Sequence, residues 1–167
     1  QGPTVQGTME DVLQRIAGQR VRVLGAGRTD AGVHAEGQVV AFDLLWRRPV
    51  AELQRACNAL LPPAIAVREM EVAAPRFHPR FDARSREYRY RVFTREVRSP
   101  FQERFAHYLA QPLDVDRMNE GARWLVGVQD FASFGSPTQG EVTVREVHRA
   151  CWRREGEVLV FEIEANG

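Results

Sequence analysis

The interval between two short apolar segments restricts this fold more than any other feature. "RVRVLG" (Arg20–Gly25) alternates apolar with polar residues, the period of a half-buried strand, and "QVVAFDL" (Gln38–Leu44) reads as a second strand. A parallel crossover between strands needs about a dozen residues, usually a helix. Only Ala31 to Gly37 separate Asp30 from the second strand, with glycines at 32 and 37. No helix fits, so the chain must turn back through a loop, "GAGRTDAGVHAEG". This excludes two phosphate-binding readings. Gly25 and Gly27 match the first glycines of a dinucleotide fingerprint, but Asp30 stands in the third place, where a carboxylate repels phosphate. Gly27 and Gly32 have P-loop spacing, but Val33 and His34 occupy the Lys and Ser/Thr positions. No nucleotide cofactor is expected.

The other elements follow from period and punctuation. Thr8, with Asp11 in a capping-box position, is placed to cap a first helix carrying Val12, Leu13 and Ile16, and Gly18 to end it. Pro49 opens a second helix with Leu53, Ala56, Cys57 and Leu60 on one face, and "LPP" stops it. "IAVREMEV" (Ile65–Val72) alternates. After the loop "APRFHPRFDARS", "REYRYRVF" (Arg86–Phe93) alternates with Tyr88, Tyr90 and Val92 on one face. Asp114 caps a helix carrying Val115, Met118, Ala122 and Leu125. "VQDFASFGSPTQGE" reads as a loop, and "TVREVHRACW" and "EVLVFEIEA" as a hairpin across "RREGE". The order is helix–strand–strand–helix–strand, then strand–helix–strand–strand. Both match pieces of the ferredoxin-like strand–helix–strand–strand–helix–strand unit. The expectation is an α+β chain of two such halves, 1–80 and 81–167, forming a mainly antiparallel sheet with helices on one face. The first half lacks its opening strand and the second its final helix and strand, as if the chain were clipped at both ends.

Charge is informative by its distribution. Net charge is +1, yet all 23 basic residues are arginine. Arg76, Arg80, Arg84, Arg86, Arg89, Arg91, Arg95 and Arg98 crowd one region, opposed by Asp82, Glu87 and Glu96. A phosphate-binding surface and solvated strand faces both account for this stripe. Cys57 and Cys151 lie apart, without a Cys or His at metal-ligand spacing, and read as reduced thiols. No metal site is expected. No apolar run approaches the roughly 18–20 residues of a membrane helix, and "QGPTVQGTMED" has no signal-peptide pattern, so a cytoplasmic protein is expected.

Two accounts of the loop remain on the residues alone. Glycines at 25, 27 and 32 allow sharp turns that display Asp30 to a substrate, with Arg28 keeping its carboxylate ionised. The other is a tight turn of common composition, with Arg28 and Asp30 as a loop ion pair. A small hydrolase using Asp30 and His34 would need a nucleophilic serine at a glycine elbow. Ser99, Ser133 and Ser136 do not sit in one.

"GRTDAGVHAEGQVVAFD" resembles the signature of the TruA family of tRNA pseudouridine synthases, G-R-T-D-x-G-V-H-A-x-G-Q-V-x-x-F, and matches it throughout. "TVQGTMEDVL", "NALLPPAIAV", "RFHPRFDARSREYRYRV", "LVGVQDFASF" and "IEANG" are similar to further family segments, so the resemblance covers nearly the whole chain. The family's opening Y-D-G-T strand and closing H-M-V-R helix have no counterpart here. The resemblance implies the pseudouridine synthase fold and isomerisation of uridine to pseudouridine, without cofactor or metal, in the anticodon stem-loop of tRNA at positions 38 to 40. It implies a homodimer. Asp30 matches the essential aspartate, which either attacks C1′ or takes a C2′ proton. Tyr88 matches the tyrosine that meets the uracil, while Tyr90 is expected in the core. Arg28 is expected to pair with Asp30 and to help hold the flipped nucleotide. Arg84, Arg86, Arg89 and Arg91 are candidate RNA contacts. A non-catalytic RNA-binding fragment of the same fold is the alternative.

Overall fold

The computed structural model describes residues 4–135 and 142–166. Of the loop expected from Val128 to Glu141, residues 136–141 lie outside the described residues, Ser136 among them. The chain forms two compact units, Gln1–Asp82 and Ala83–Gly167. The division expected after residue 80 falls instead after the turn residues Phe81 and Asp82. Both units mix helix and strand, and the class is α+β.

In the first unit, α1 (Val5–Ala17) is capped by Thr4, not Thr8. Thr4 Oγ1 accepts from Gly7 N–H at 3.0 Å. Thr8 lies inside the first turn, and its hydroxyl donates back to the Thr4 carbonyl at 2.9 Å. The capping-box expectation for Thr8 and Asp11 is thus one turn late. Gly18 ends the helix at φ 69°, the left-handed conformation that glycine adopts without penalty. The helix α2 (Val50–Leu60) starts after Pro49 and stops at the Leu61–Pro62–Pro63 run. Met9, Val12 and Leu13 of α1 pack with Leu53 and Cys57 of α2 and with Val21, Val23 and Leu61. Leu60, expected on that face, is exposed.

The three expected strands of this unit are scarcely paired. Among the described residues, β1 (Leu24–Gly25) and β2 (Val40–Ala41) alone form a ladder here, antiparallel, and residues 65–72 join none. The alternation is present all the same, with Val21 and Val23 buried and Arg22 exposed between them. Helix side chains take backbone groups of these segments at particular residues. Val23 N–H donates to Glu10 Oε1 at 3.0 Å, and Val23 O accepts from Gln6 Nε2 at 3.0 Å. The hydrogen bond from Val23 N–H, aided by Gln6, lowers the Glu10 carboxyl below its usual range. Asn58 does the same for Val67, accepting from its N–H at 2.7 Å and donating to its carbonyl at 2.8 Å.

The second unit is a continuous sheet. It contains β3 (Ser85–Thr94), β4 (His107–Leu109), α3 (Val115–Arg123), β5 (Gly127–Asp130), a 3-10 turn at Ala132–Phe134, β6 (Val144–Glu155) and β7 (Val158–Asn166). The strand order is β4-β3-β7-β6-β5, antiparallel throughout except for β3 with β4. Within it, β3, β7 and β6 stand as first, third and second of the strand–helix–strand–strand run. Asp114 caps α3, accepting from Asp116 N–H and Arg117 N–H at 3.1 Å each. Leu125, assigned to this helix from sequence, lies just beyond its end. The β6–β7 hairpin turns through Gly156 and Glu157, with Gly156 at φ 60° as the first residue of a two-residue turn requires.

A bulge between Val147 and Arg149 decides what each face of this sheet carries. The extra residue, His148, flips the register, so Val147 and Ala150 both face α3 while Arg149 turns to the other side. On the α3 side Ala122, Val147 and Ala150 form a core with Trp152, Phe161 and Ile163 packed against it. Asn119 reaches from α3 to Trp152, accepting from its N–H at 2.7 Å and donating to its carbonyl at 3.0 Å. The opposite face is apolar at one end, around Phe93, Val158 and Val160, and ionic at the other.

Candidate active site

The loop carrying Asp30 is fastened at its neck and open at its tip. Beyond the β1–β2 ladder, Ala26 N–H donates to Val39 O at 2.9 Å, and Gln38 Nε2 donates to Gly27 O at 2.8 Å. From outside the loop, Arg68 Nη1 donates to Glu36 O at 2.8 Å. At the tip, Val33 N–H donates to Asp30 O at 3.1 Å, closing a turn with Gly32 at φ 87°. Positive φ at the third residue is the requirement of a type II turn, and glycine meets it at no steric cost. Asp30 therefore opens a defined turn, and residues 27–40 are all exposed. The ion pair expected between Arg28 and Asp30 is not formed among the described residues. Two solvated side chains gain little from such a pair. His34 shares this exposed tip.

In the second unit, β3 separates the arginine stripe by parity. Arg86, Tyr88 and Tyr90 stand opposite Ala165, Ile163 and Phe161 on the α3 face, while Arg89 and Arg91 lie on the other. Tyr88 is 61% exposed and Tyr90 54%. Tyr90 is thus not a core residue, although Val92 on the same strand face is buried; its ring sits 6.4 Å from that of His107. Arg84 precedes the strand and is exposed. Arg89 is bound into an ionic cluster centred on Glu162, which is 4% exposed. Glu162 receives Arg89 at 3.0 Å, Arg149 at 2.9 Å and Arg153 at 2.8 Å, and Arg89 also meets Glu87 at 3.2 Å. Sequence gave no sign of this cluster, since its members come from three strands.

Two motifs resolve into turns. In "FHPRFD", Asp82 Oδ2 accepts from His78 N–H at 2.7 Å, and His78 Nδ1 accepts from Arg80 N–H at 3.2 Å. In "QDFASF", Asp130 Oδ1 accepts from Thr143 Oγ1 and from Ala132 N–H, and these bonds hold its carboxyl below the usual range. Cys57 is buried, which pushes its thiol up, and both cysteines are free. No helix among the described residues is long and apolar enough to cross a membrane.

A family model described as tRNA pseudouridine synthase matches residues 1–82, the unit that holds the Asp30 loop. The tRNA pseudouridine synthase A of Moorella thermoacetica is 41% identical over 169 residues, which cover 99% of this chain and 68% of that protein. The Brevibacillus brevis protein of the same name is 41% identical, with 98% and 68% covered, and that of Solibacter usitatus 40%, with 98% and 70%. The chain belongs to the tRNA pseudouridine synthase family.

Proposed function

We propose that this chain isomerises uridine to pseudouridine in the anticodon stem-loop of tRNA, at positions 38 to 40, with the Asp30 carboxylate acting on the ribose. The observation that carries the reading is the position of Asp30, first residue of a fastened and exposed turn within the segment matched by the family. In the reaction the N1–C1′ bond breaks, the uracil turns, and a C5–C1′ bond forms. The C5 hydrogen leaves to solvent while N1 regains a proton, so the change is an isomerisation. A carboxylate near C1′ can act as nucleophile or base in this scheme.

Tyr88 is the residue we assign to the uracil, its exposed ring offering a stacking face. Arg28 is assigned to the extruded nucleotide, whose flipping costs a few kcal/mol. Arg84, Arg86 and Arg91 are assigned to phosphates, which makes binding salt-dependent. Arg89 belongs to the same assignment, but Glu87 and Glu162 already engage its charge. The proposal includes a homodimer acting in the cytoplasm, to be checked by solution mass and by cell fractionation.

The test is tritium release from tRNA labelled at uracil C5, with filter binding across a salt series alongside. Wild-type chain should release tritium, and Asp30→Ala should reduce the rate roughly 10²–10⁴-fold. Wild-type chain that binds tRNA but releases no tritium would establish the non-catalytic RNA-binding reading instead.

A further inference from the structure

The Asp30 loop is tied down from its distal limb, and the tie has a traceable origin. Arg68, which donates to the Glu36 carbonyl at 2.8 Å, follows Val67 in a segment that joins no ladder. Helix α2 fixes that segment. Asn58 takes both backbone groups of Val67 at 2.7 and 2.8 Å. Gln54, one turn earlier, donates to the carbonyls of Val67 at 3.2 Å and Arg68 at 2.8 Å. The helix in turn is anchored in the core by Leu53 and Cys57. A line of contacts thus runs from the core, through α2 and residues 67–68, to the limb of the loop beyond Asp30.

We propose that Arg68 is a positioning residue for Asp30, its guanidinium fixing the distal limb of loop 26–39 and so the turn that presents the carboxylate. The inference rests on the reading of Asp30 as the catalytic group. Its physical basis is simple. The bonds at Ala26, Gly27 and Gln38 hold the neck, and a loop pinned only at its neck leaves the tip free to swing. A third point outside the loop removes that freedom, and a charged donor to a carbonyl is a strong form of such a bond. Rate depends steeply on placement, since a misplacement of about 1 Å can cost about 10²-fold.

Arg68→Ala, Arg68→Lys and Asn58→Ala are compared with Asp30→Asn by two readouts. One is tritium release with kcat and KM resolved. The other needs no activity: the rate of tryptic cleavage after Arg28, read by fragment mass, against cleavage after Arg15 in α1. In Arg68→Ala, kcat should fall about 10- to 100-fold with KM for tRNA unchanged. Cleavage after Arg28 should rise roughly tenfold with cleavage after Arg15 unchanged. Arg68→Lys should recover part of both, and Asn58→Ala should move both in the same direction by less. Unchanged cleavage after Arg28 in Arg68→Ala overturns the inference. So does a raised KM with a shallower salt dependence at unchanged kcat, which would make Arg68 an RNA contact. Wild-type kcat in Asp30→Asn overturns the underlying reading and the inference with it. An inactive Asp30→Asn beside a wild-type-like Arg68→Ala overturns the inference alone.

Discussion

The two units hold their chain in place with a different balance of ladders and side-chain clamps. In the second, backbone pairs with backbone across four ladders, and the long strands β3, β7 and β6 run side by side for most of their length. In the first, one two-residue ladder is supplemented by Gln6 and Glu10 on Val23, by Asn58 and Gln54 on residues 67–68, and by Arg68 on Glu36. Side-chain clamps fix single residues, whereas ladders fix runs. The unit that presents Asp30 is therefore the one in which single substitutions reach the loop, and the unit that presents Tyr88 is buffered by its sheet.

The largest expected effect tests the ionic face of the second unit. Glu162→Gln removes the carboxylate that three arginines share and leaves their charges facing one another. Removing one partner of a buried pair costs 3–5 kcal/mol, and because these arginines are nearly half exposed we expect about 2–4 kcal/mol, measured by urea unfolding. A loss under about 0.5 kcal/mol would place the cluster with ordinary surface pairs.

Next come the two asparagine clamps. Asn119→Ala and Asn58→Ala each strip a backbone N–H and C=O of their partner, at about 1–3 kcal/mol for groups left unsatisfied. The Asn119 variant should lose stability at undiminished kcat, and the Asn58 variant should lose both. Equal effects on kcat would erase the distinction between the units.

The glycines sharpen the comparison further. Gly156→Ala and Gly32→Ala each force alanine into positive φ, with no atom near the added Cβ, so only backbone strain of roughly 1–2 kcal/mol is at issue. In the β6–β7 hairpin that strain should appear as a lower Tm. In the Asp30 turn it should appear as lost tritium release with little change in Tm.

The smallest effect is the acid limb of the first unit. The folded pKa of Glu10 lies below its ordinary value of 4.5, so its contribution is complete above pH 4.5 and fades as pH falls through the folded value. Glu10→Gln keeps an acceptor for Val23 N–H but cannot titrate. Its stability should fall less steeply with acid than wild type, and parallel curves would contradict the role assigned to the carboxylate.

How much of this was legible depended on whether a structure is local. The cap at Asp114, the glycine stop at Gly18, the proline stop after Leu60 and the β6–β7 hairpin are local, and each follows from its own residues. Alternation pointed to strands at Arg20–Gly25 and Ile65–Val72, yet among the described residues only Leu24–Gly25 joins a ladder, because pairing depends on what lies alongside. The strands β4 and β5 were missed because His107–Leu109 and Gly127–Asp130 are too short to show a period. The bulge did leave a trace, since the step from Val147 to Ala150 breaks the period of two. The turn that opens at Asp30 lies in a long motif, whereas Arg68 is one exposed arginine in an alternating segment, and nothing local marks its bond to Glu36. Tyr90 was misplaced because strand parity gives the face and not what covers it.

The most direct test of the account is a single-turnover measurement with Asp30→Asn at saturating tRNA, following pseudouridine formation and tRNA affinity in the same preparation. The account predicts affinity within about twofold of wild type and product formation slowed roughly 10²–10⁴-fold. Product formed at the wild-type rate would show that the chemistry lies elsewhere.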